Sequence, residues 1–189
     1  MKELTLAQIA EACGGTLIGG NEAKEYTVTG VEIDSRRVKA GDLFVAIPGE
    51  KVDGHKFIPD VLKKGAYALS KQSLDVDGAY ILVEDTITAM KRLALFYRNT
   101  LDIKVVGITG SVGKTSTKEM IASVLGTKFR VHKTQGNFNN GIGLPLTIFQ
   151  IEKEHQVAVL EMGISEFGEM HELADMAQPD IMVITNIGL

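Results

Sequence analysis

The sequence predicts an α/β fold in two parts: a small α/β domain over residues 1–83, followed by a parallel-sheet phosphate-loop domain over residues 84–189. Three observations predict it. Before residue 84, short apolar runs are closed by Gly or Pro, as expected of brief strands in a small unit. After residue 100, continuous β-rich apolar runs alternate with helical spacing, the pattern of a parallel sheet covered on both faces. Within that later stretch, a glycine-rich loop joins a strand directly to a helix.

The elements follow in order. Thr5 is placed to cap a helix running to Cys13, with Gly14 as its stop. Tyr26–Ile33 alternates in part and reads as a half-buried strand, and Leu43–Ile47 as a second, closed by Pro48-Gly49. A helix is expected from Pro59 to Lys64, then strands at Ala66–Leu69 and Ala79–Val83. Asp85 or Thr86 caps a helix reaching Asn99, near which the domain boundary falls. Ile103–Thr109, Val157–Leu160 and Ile181–Thr185 read as strands buried on both faces. Thr115–Leu125 and Glu166–Ala177 read as helices, the first with Met120, Ile121, Val124 and Leu125 on its apolar side.

Composition narrows the function classes. The chain has 189 residues, a net charge of −4 and a single cysteine. That charge lacks the basic footprint of a nucleic-acid binder, and no run is apolar and long enough for membrane insertion. One cysteine excludes an internal disulfide framework, so a cytoplasmic protein is expected, with Cys13 packed in the core. The N-terminal segment has no signal-peptide pattern. His132, His155 and His171 show no metal-ligand spacing and are expected at the surface.

Four segments carry chemistry. The first is Thr109-Gly110-Ser111-Val112-Gly113-Lys114-Thr115-Ser116. Its glycines let backbone N–H groups turn inward around phosphate oxygens, and the helix N-terminus adds partial positive charge. Lys114 would reach the β- and γ-phosphates of ATP, and the Thr115 hydroxyl would ligate Mg²⁺. The strict pattern wants Gly where Ile108 stands. The second is Glu161, at the end of an apolar strand, either a Mg²⁺-organising carboxylate or a cap for the next turn. The third is Gly136-Asn137-Phe138-Asn139-Asn140-Gly141. It reads either as a tight turn before a helix or as amide side chains on phosphate oxygens and metal-bound water. The fourth pairs Asp34-Ser35-Arg36-Arg37 with Asp53-Gly54-His55-Lys56-Phe57. It reads either as solvated loop with a core Phe, or as an Arg, a His and backbone amides gripping a diphosphate, with Phe57 under a base.

Taken together, these segments resemble the Mur ligases, which build the peptide of the bacterial cell wall. The residues that carry the likeness are Asp34 through Gly49, Asp53–Phe57, Gly110–Met120, Gly136–Thr147, Glu161–Gly163 and Thr185–Gly188. In that family Thr-Gly-x-x-Gly-Lys-Thr is the ordinary form of the loop. The resemblance implies that the first domain binds a UDP-muramoyl peptide through Ser35, Arg36, Asp53, Gly54, His55 and Phe57. It implies that the second binds ATP through Thr109–Ser116. Lys114, Asn137, Asn140 and Glu161 would be catalytic, with Thr115 and Glu161 holding Mg²⁺. The later segments favour the member joining D-alanyl-D-alanine to UDP-N-acetylmuramoyl-tripeptide through an acyl phosphate. The member adding the third stem residue is the alternative, as is a non-catalytic UDP-sugar-binding module. Family members continue past the Thr185–Gly188 segment, so the chain is expected to be part of a longer enzyme.

Overall fold

The computed structural model describes residues 1, 3–49 and 52–188; Lys2, in the N-terminal segment, and Leu189, at the end of the expected second domain, lie outside them. The chain divides into two compact units, Met1–Leu93 and Ala94–Leu189.

In the first unit, β1 (Leu4–Thr5) leads into α1 (Leu6–Cys13). Thr5 forms a capping box with Gln8, and Gly14 closes the helix in the left-handed region at φ 65. Cys13 is buried, donates to the Ala89 carbonyl, and has its thiol pushed up to about 12, first by burial. It is a packing residue. β2 (Thr16–Ile18) follows. The single strand expected over Tyr26–Ile33 is two, β3 (Thr27–Val28) and β4 (Gly30–Glu32). They split because β3 pairs antiparallel with β1 while β4 pairs parallel with β5 (Asp42–Val45). After α2 (Ile58–Lys63) come β6 (Tyr67–Ser70) and β7 (Tyr80–Leu82). The five-stranded sheet has the order β2-β7-β6-β5-β4, antiparallel only between β2 and β7. Phe44, Ala68 and Tyr80 on the sheet pack with Ile58, Val61 and Leu62 of α2 to form the core.

α3 (Thr86–Asn99) carries the boundary between the units. Asp85 is its cap, accepting from the Thr88 N–H at 2.7 Å, while the Thr86 hydroxyl donates instead to the Ala46 carbonyl.

The second unit holds β8 (Lys104–Thr109), α4 (Lys114–Leu125), β9 (Val131–Lys133), α5 (Gly143–Phe149), β10 (Val157–Glu161), α6 (Glu169–Ala177) and β11 (Ile181–Ile184). The sheet is parallel throughout, in the order β11-β8-β10-β9. The chain leaves β8 for one side and returns to its other side with β11. The C-terminal end of β8 is therefore a topological switch point, where an open α/β sheet forms its crevice. Ile108, Val106, Val157 and Val159 pack with Ala122, Ile121 and Leu125 of α4. Met120 and Val124, expected on that apolar side, are each 70% exposed. The inner stripe takes Lys118 and Ala122 in their stead. β11 also departs from expectation. It pairs with β8 alone among the described residues, and Ile181 and Ile184 are exposed rather than buried on both faces.

His132 departs too. It is buried on β9 with its ring edge-on to His155, and its Nε2 lies 3.0 Å from the Thr147 carbonyl. A carbonyl accepts only, so Nε2 carries the hydrogen. Burial, and then His155, push His132 down to about 4. In the unfolded chain the ring titrates near its ordinary value of about 6.5, so between those values the unfolded state binds more protons. Stability is thus greatest above about pH 6.5 and falls as pH drops towards 4, by at most about 3 kcal/mol. His132→Gln is expected to flatten that part of the dependence. Urea unfolding of both proteins at several pH values across the range checks this, and an unchanged slope contradicts it.

Candidate functional site

The loop between β8 and α4 is held from both sides. The Thr185 N–H donates to the Thr109 carbonyl at 2.9 Å, and the Thr185 hydroxyl donates to the Val112 carbonyl at 2.6 Å. The Ser111 N–H donates to the Asn186 carbonyl, and the Gly188 N–H to the Ser111 hydroxyl. Gly110, at φ 134, leaves no room for a side chain, because a Cβ would meet Thr185 and Asn186. These bonds fix a loop that borders a cavity of about 470 Å³ lined by Thr109, Gly110, Ser111, Lys114 and Asn186, with Ile164, Met170, Ile184 and Ile187 as apolar wall. Lys114 is the first residue of α4, and its Nζ donates to the Gly110 carbonyl at 2.6 Å. Val112, Gly113 and Ser116 are exposed on the outer turn.

Glu161 lies at the C-terminal edge of the sheet, in register with Ile108 on β8. Its carboxylate is 3% exposed. The Thr115 hydroxyl donates to one oxygen at 3.0 Å, and the Asn139 amide donates to the other at 2.9 Å. Lys118, 2% exposed, brings its ammonium to 3.6 Å. The Glu161 N–H donates to the Thr134 hydroxyl, which locks the strand end.

Of the two asparagines expected beside the phosphates, neither reaches Glu161. Asn140 braces the turn that leads into α5, its side chain accepting from the Ile142 and Gly143 N–H groups, and Asn137 is exposed. Asn139 takes the place, and the turn that presents it closes through the Gly163 N–H donating to its carbonyl at 2.7 Å. A Cβ on Gly163 would press on the Asn139 amide at 3.1 Å, so the Gly after Glu161-Met162 makes room for that side chain.

The residues fit a nucleotide phosphate with a divalent cation. Thr115 donates its one hydrogen to Glu161 and keeps two lone pairs for a cation. Among the described residues no cluster of three His, Cys, Asp or Glu side chains forms a closed metal cage. Magnesium characteristically takes one or two protein oxygens and completes its shell with water and phosphates, which matches this sparse donor set.

The first unit holds a separate cavity of about 540 Å³, lined by Asp34, Ser35, Arg36, Gly54 and Phe57 together with Phe44 and Val52. Arg36 forks onto Asp34 at 2.9 and 2.7 Å and holds that carboxyl down to about 2. Lys64 fixes the turn through the Ser35 carbonyl. Phe57 is partly exposed beside an Arg and a Ser, an amphipathic lining suited to a base and a diphosphate. His55 turns away from that cavity and is buried. Its Nε2 accepts from the Lys71 N–H at 3.1 Å, so Nδ1 carries the hydrogen and donates to Asp53 at 2.6 Å. Asp53 also accepts from the His55 N–H, which together with that side chain lowers its pKa. Asp53 and His55 thus brace the loop that presents Gly54 and Phe57.

A glycine-lined loop entering a helix, with a buried carboxylate on the neighbouring strand, defines a phosphate-loop nucleotide-binding protein. Two family models match the chain: "Mur ligase family, catalytic domain" over residues 27–98 and "Mur ligase middle domain" over residues 108–189. The chain belongs to the Mur ligase family. It is 47% identical to the UDP-N-acetylmuramoyl-tripeptide--D-alanyl-D-alanine ligase of Bacillus subtilis, an alignment spanning 100% of this chain and 42% of that protein. A crystal structure of MurF from Acinetobacter baumannii superposes with TM-score 0.92 at 34% identity, over 100% of this chain and 41% of the other. The MurF ligase of Thermotoga maritima in complex with ADP superposes with TM-score 0.78 at 38% identity, over 85% of this chain and 38% of the other. The chain spans about two fifths of the length of these relatives.

Proposed function

We propose that this chain supplies the muramoyl-peptide-binding and ATP-binding parts of a cytoplasmic ligase that joins D-alanyl-D-alanine to UDP-N-acetylmuramoyl-tripeptide. The observation that carries the reading is the convergence of Lys114, Thr115, Asn139 and Glu161 at the switch point of the parallel sheet. The names of the relatives supply the substrates.

A peptide carboxylate is a poor electrophile. Its oxygen attacks the γ-phosphorus of ATP, the bond to the β-phosphate oxygen breaks, and ADP leaves. The resulting acyl phosphate has a good leaving group. The dipeptide amine attacks the acyl carbon, phosphate departs with the former carboxylate oxygen, and the amine loses a proton. Lys114 is placed to leave the Gly110 carbonyl for a γ-phosphate oxygen, while the loop N–H groups orient the phosphate chain. Magnesium at Thr115 and Glu161 would neutralise phosphate charge. Asn139 fixes the rotamer of Glu161 so that the carboxylate meets the cation without reorganisation. Ser35, Arg36, Gly54 and Phe57 hold the UDP-sugar, with Asp53 and His55 supporting them.

The test is whether phosphate release by the intact protein depends on both substrates. With ATP and Mg²⁺, release is expected only when UDP-muramoyl tripeptide and D-alanyl-D-alanine are both present, with one phosphate per amide formed. Nucleotide hydrolysis indifferent to the muramoyl substrate points to another class of phosphate-loop enzyme.

A further inference from the structure

Lys118 has no part in the chemistry above, yet it is among the largest fully buried side chains of the chain. It lies one helical turn after Lys114, on the face of α4 that packs on β10. Its ammonium sits between two carboxylates, 3.6 Å from Glu161 Oε2 and 3.4 Å from Glu119 Oε1. Glu119 is half exposed and already paired with Lys133. The buried charge that Lys118 balances is therefore Glu161, and the oxygen it faces is the one that accepts from Thr115.

We propose that Lys118 is a positioning residue and the resident counter-charge of Glu161, and that it couples loading of the divalent cation to arrival of the nucleotide. The inference deepens the reading of Thr115 and Glu161 as metal holders and rests on it. A carboxylate and an ammonium buried together neutralise one another, whereas either alone is costly to desolvate. A divalent cation entering at Thr115 and Glu161 meets a carboxylate already neutralised, and meets the repulsion of a fixed positive charge a few ångströms away in a weakly screened interior. The protein alone therefore holds magnesium poorly. Nucleotide phosphates bring their own negative charge, and the complex of cation and phosphates binds where the bare cation does not. Glu161 is held by Asn139 on one oxygen and by Lys118 and Thr115 on the other.

The experiment measures Mg²⁺ binding to the chain by calorimetry, without nucleotide, for the wild type, Lys118→Met and Lys118→Arg, alongside thermal unfolding with chelator or with Mg²⁺. Lys118→Met removes the charge and keeps much of the apolar stem. It is expected to bind Mg²⁺ at least about tenfold more tightly than the wild type. Its unfolding midpoint in chelator should fall by about 10 °C, with part of the loss recovered by Mg²⁺. Lys118→Arg should bind bare Mg²⁺ no more tightly than the wild type. Equal affinity in the wild type and a folded Lys118→Met overturns the proposal, and so does a midpoint loss that Mg²⁺ leaves untouched. If Lys118→Met does not fold, the double variant Lys118→Met/Glu161→Gln decides. Recovery of the fold supports the counter-charge, and no recovery makes Lys118 a packing residue only. Failure of the underlying reading shows separately, as ATP binding by Glu161→Gln whose dependence on Mg²⁺ is unchanged.

Discussion

Lys114→Ala is expected to lower ligation by the intact protein at least about 10³-fold, the scale on which a cation facing a transferring phosphoryl group acts. The loss should fall on the rate and spare the fold. Lys114 opens α4 and is partly buried, and its ammonium donates to the Gly110 carbonyl of its own loop. Alanine has the highest helix propensity, and no buried partner is left uncompensated by the change. Loop geometry is set by Thr185, Asn186 and Ser111, which the substitution does not touch. Steady-state phosphate release should therefore collapse while the unfolding midpoint barely moves. Activity within about tenfold of the wild type would remove Lys114 from the phosphate-binding role.

Glu161→Ala is expected to fail on both counts. It deletes a carboxylate that is 3% exposed, strands the Thr115 hydroxyl and the Asn139 amide, and leaves the buried Lys118 ammonium with Glu119 alone among the described residues. Breaking a buried ion pair from one side costs up to about 3–5 kcal/mol, and here less than the full amount, because Lys118 keeps the half-exposed Glu119 at 3.4 Å. The rate should fall by about 10²–10³ as well, since the cation loses its protein carboxylate. The contrast with Lys114→Ala is the informative part. Parallel urea titrations should show a large drop in midpoint for Glu161→Ala and almost none for Lys114→Ala. Equal stability of the two variants would mean that Lys118 and Glu161 are not coupled as their distance implies.

Much of this arrangement is legible in the sequence, for local reasons. The Thr5 cap, the glycine after α1, the apolar run of β8 and the loop that follows it each carry their signal within a few residues. β9 carries none, because Val131–Lys133 is a strand only through its pairing with β10. The split of Tyr26–Ile33 is likewise set by two different partners, β1 and β5. Lys118 escapes notice for the same kind of reason. Flanked by Thr117 and Glu119, it reads as a solvated residue, and only the fold brings Glu161 over it. Asn139 cannot be told from Asn137 and Asn140 by composition. The loop conformation assigns one to Glu161 and one to the turn that leads into α5. In the first unit, Ser35, Arg36, Gly54 and Phe57, grouped in the sequence by their flanking segments, line one cavity, but the sequence does not reveal that His55 faces inward to Asp53 and Lys71.

In the proposed reaction the phosphate loop activates a peptide carboxylate by phosphorylating it. The most direct measurement follows the oxygen. The reacting carboxylate of UDP-muramoyl tripeptide is labelled with heavy oxygen, the intact protein is given ATP, Mg²⁺ and D-alanyl-D-alanine, and the released phosphate is weighed by mass spectrometry. Passage through an acyl phosphate predicts that each phosphate carries one labelled oxygen, matched by one molecule of UDP-muramoyl pentapeptide. Unlabelled phosphate alongside amide product would show that the carboxylate is never phosphorylated and would contradict the account.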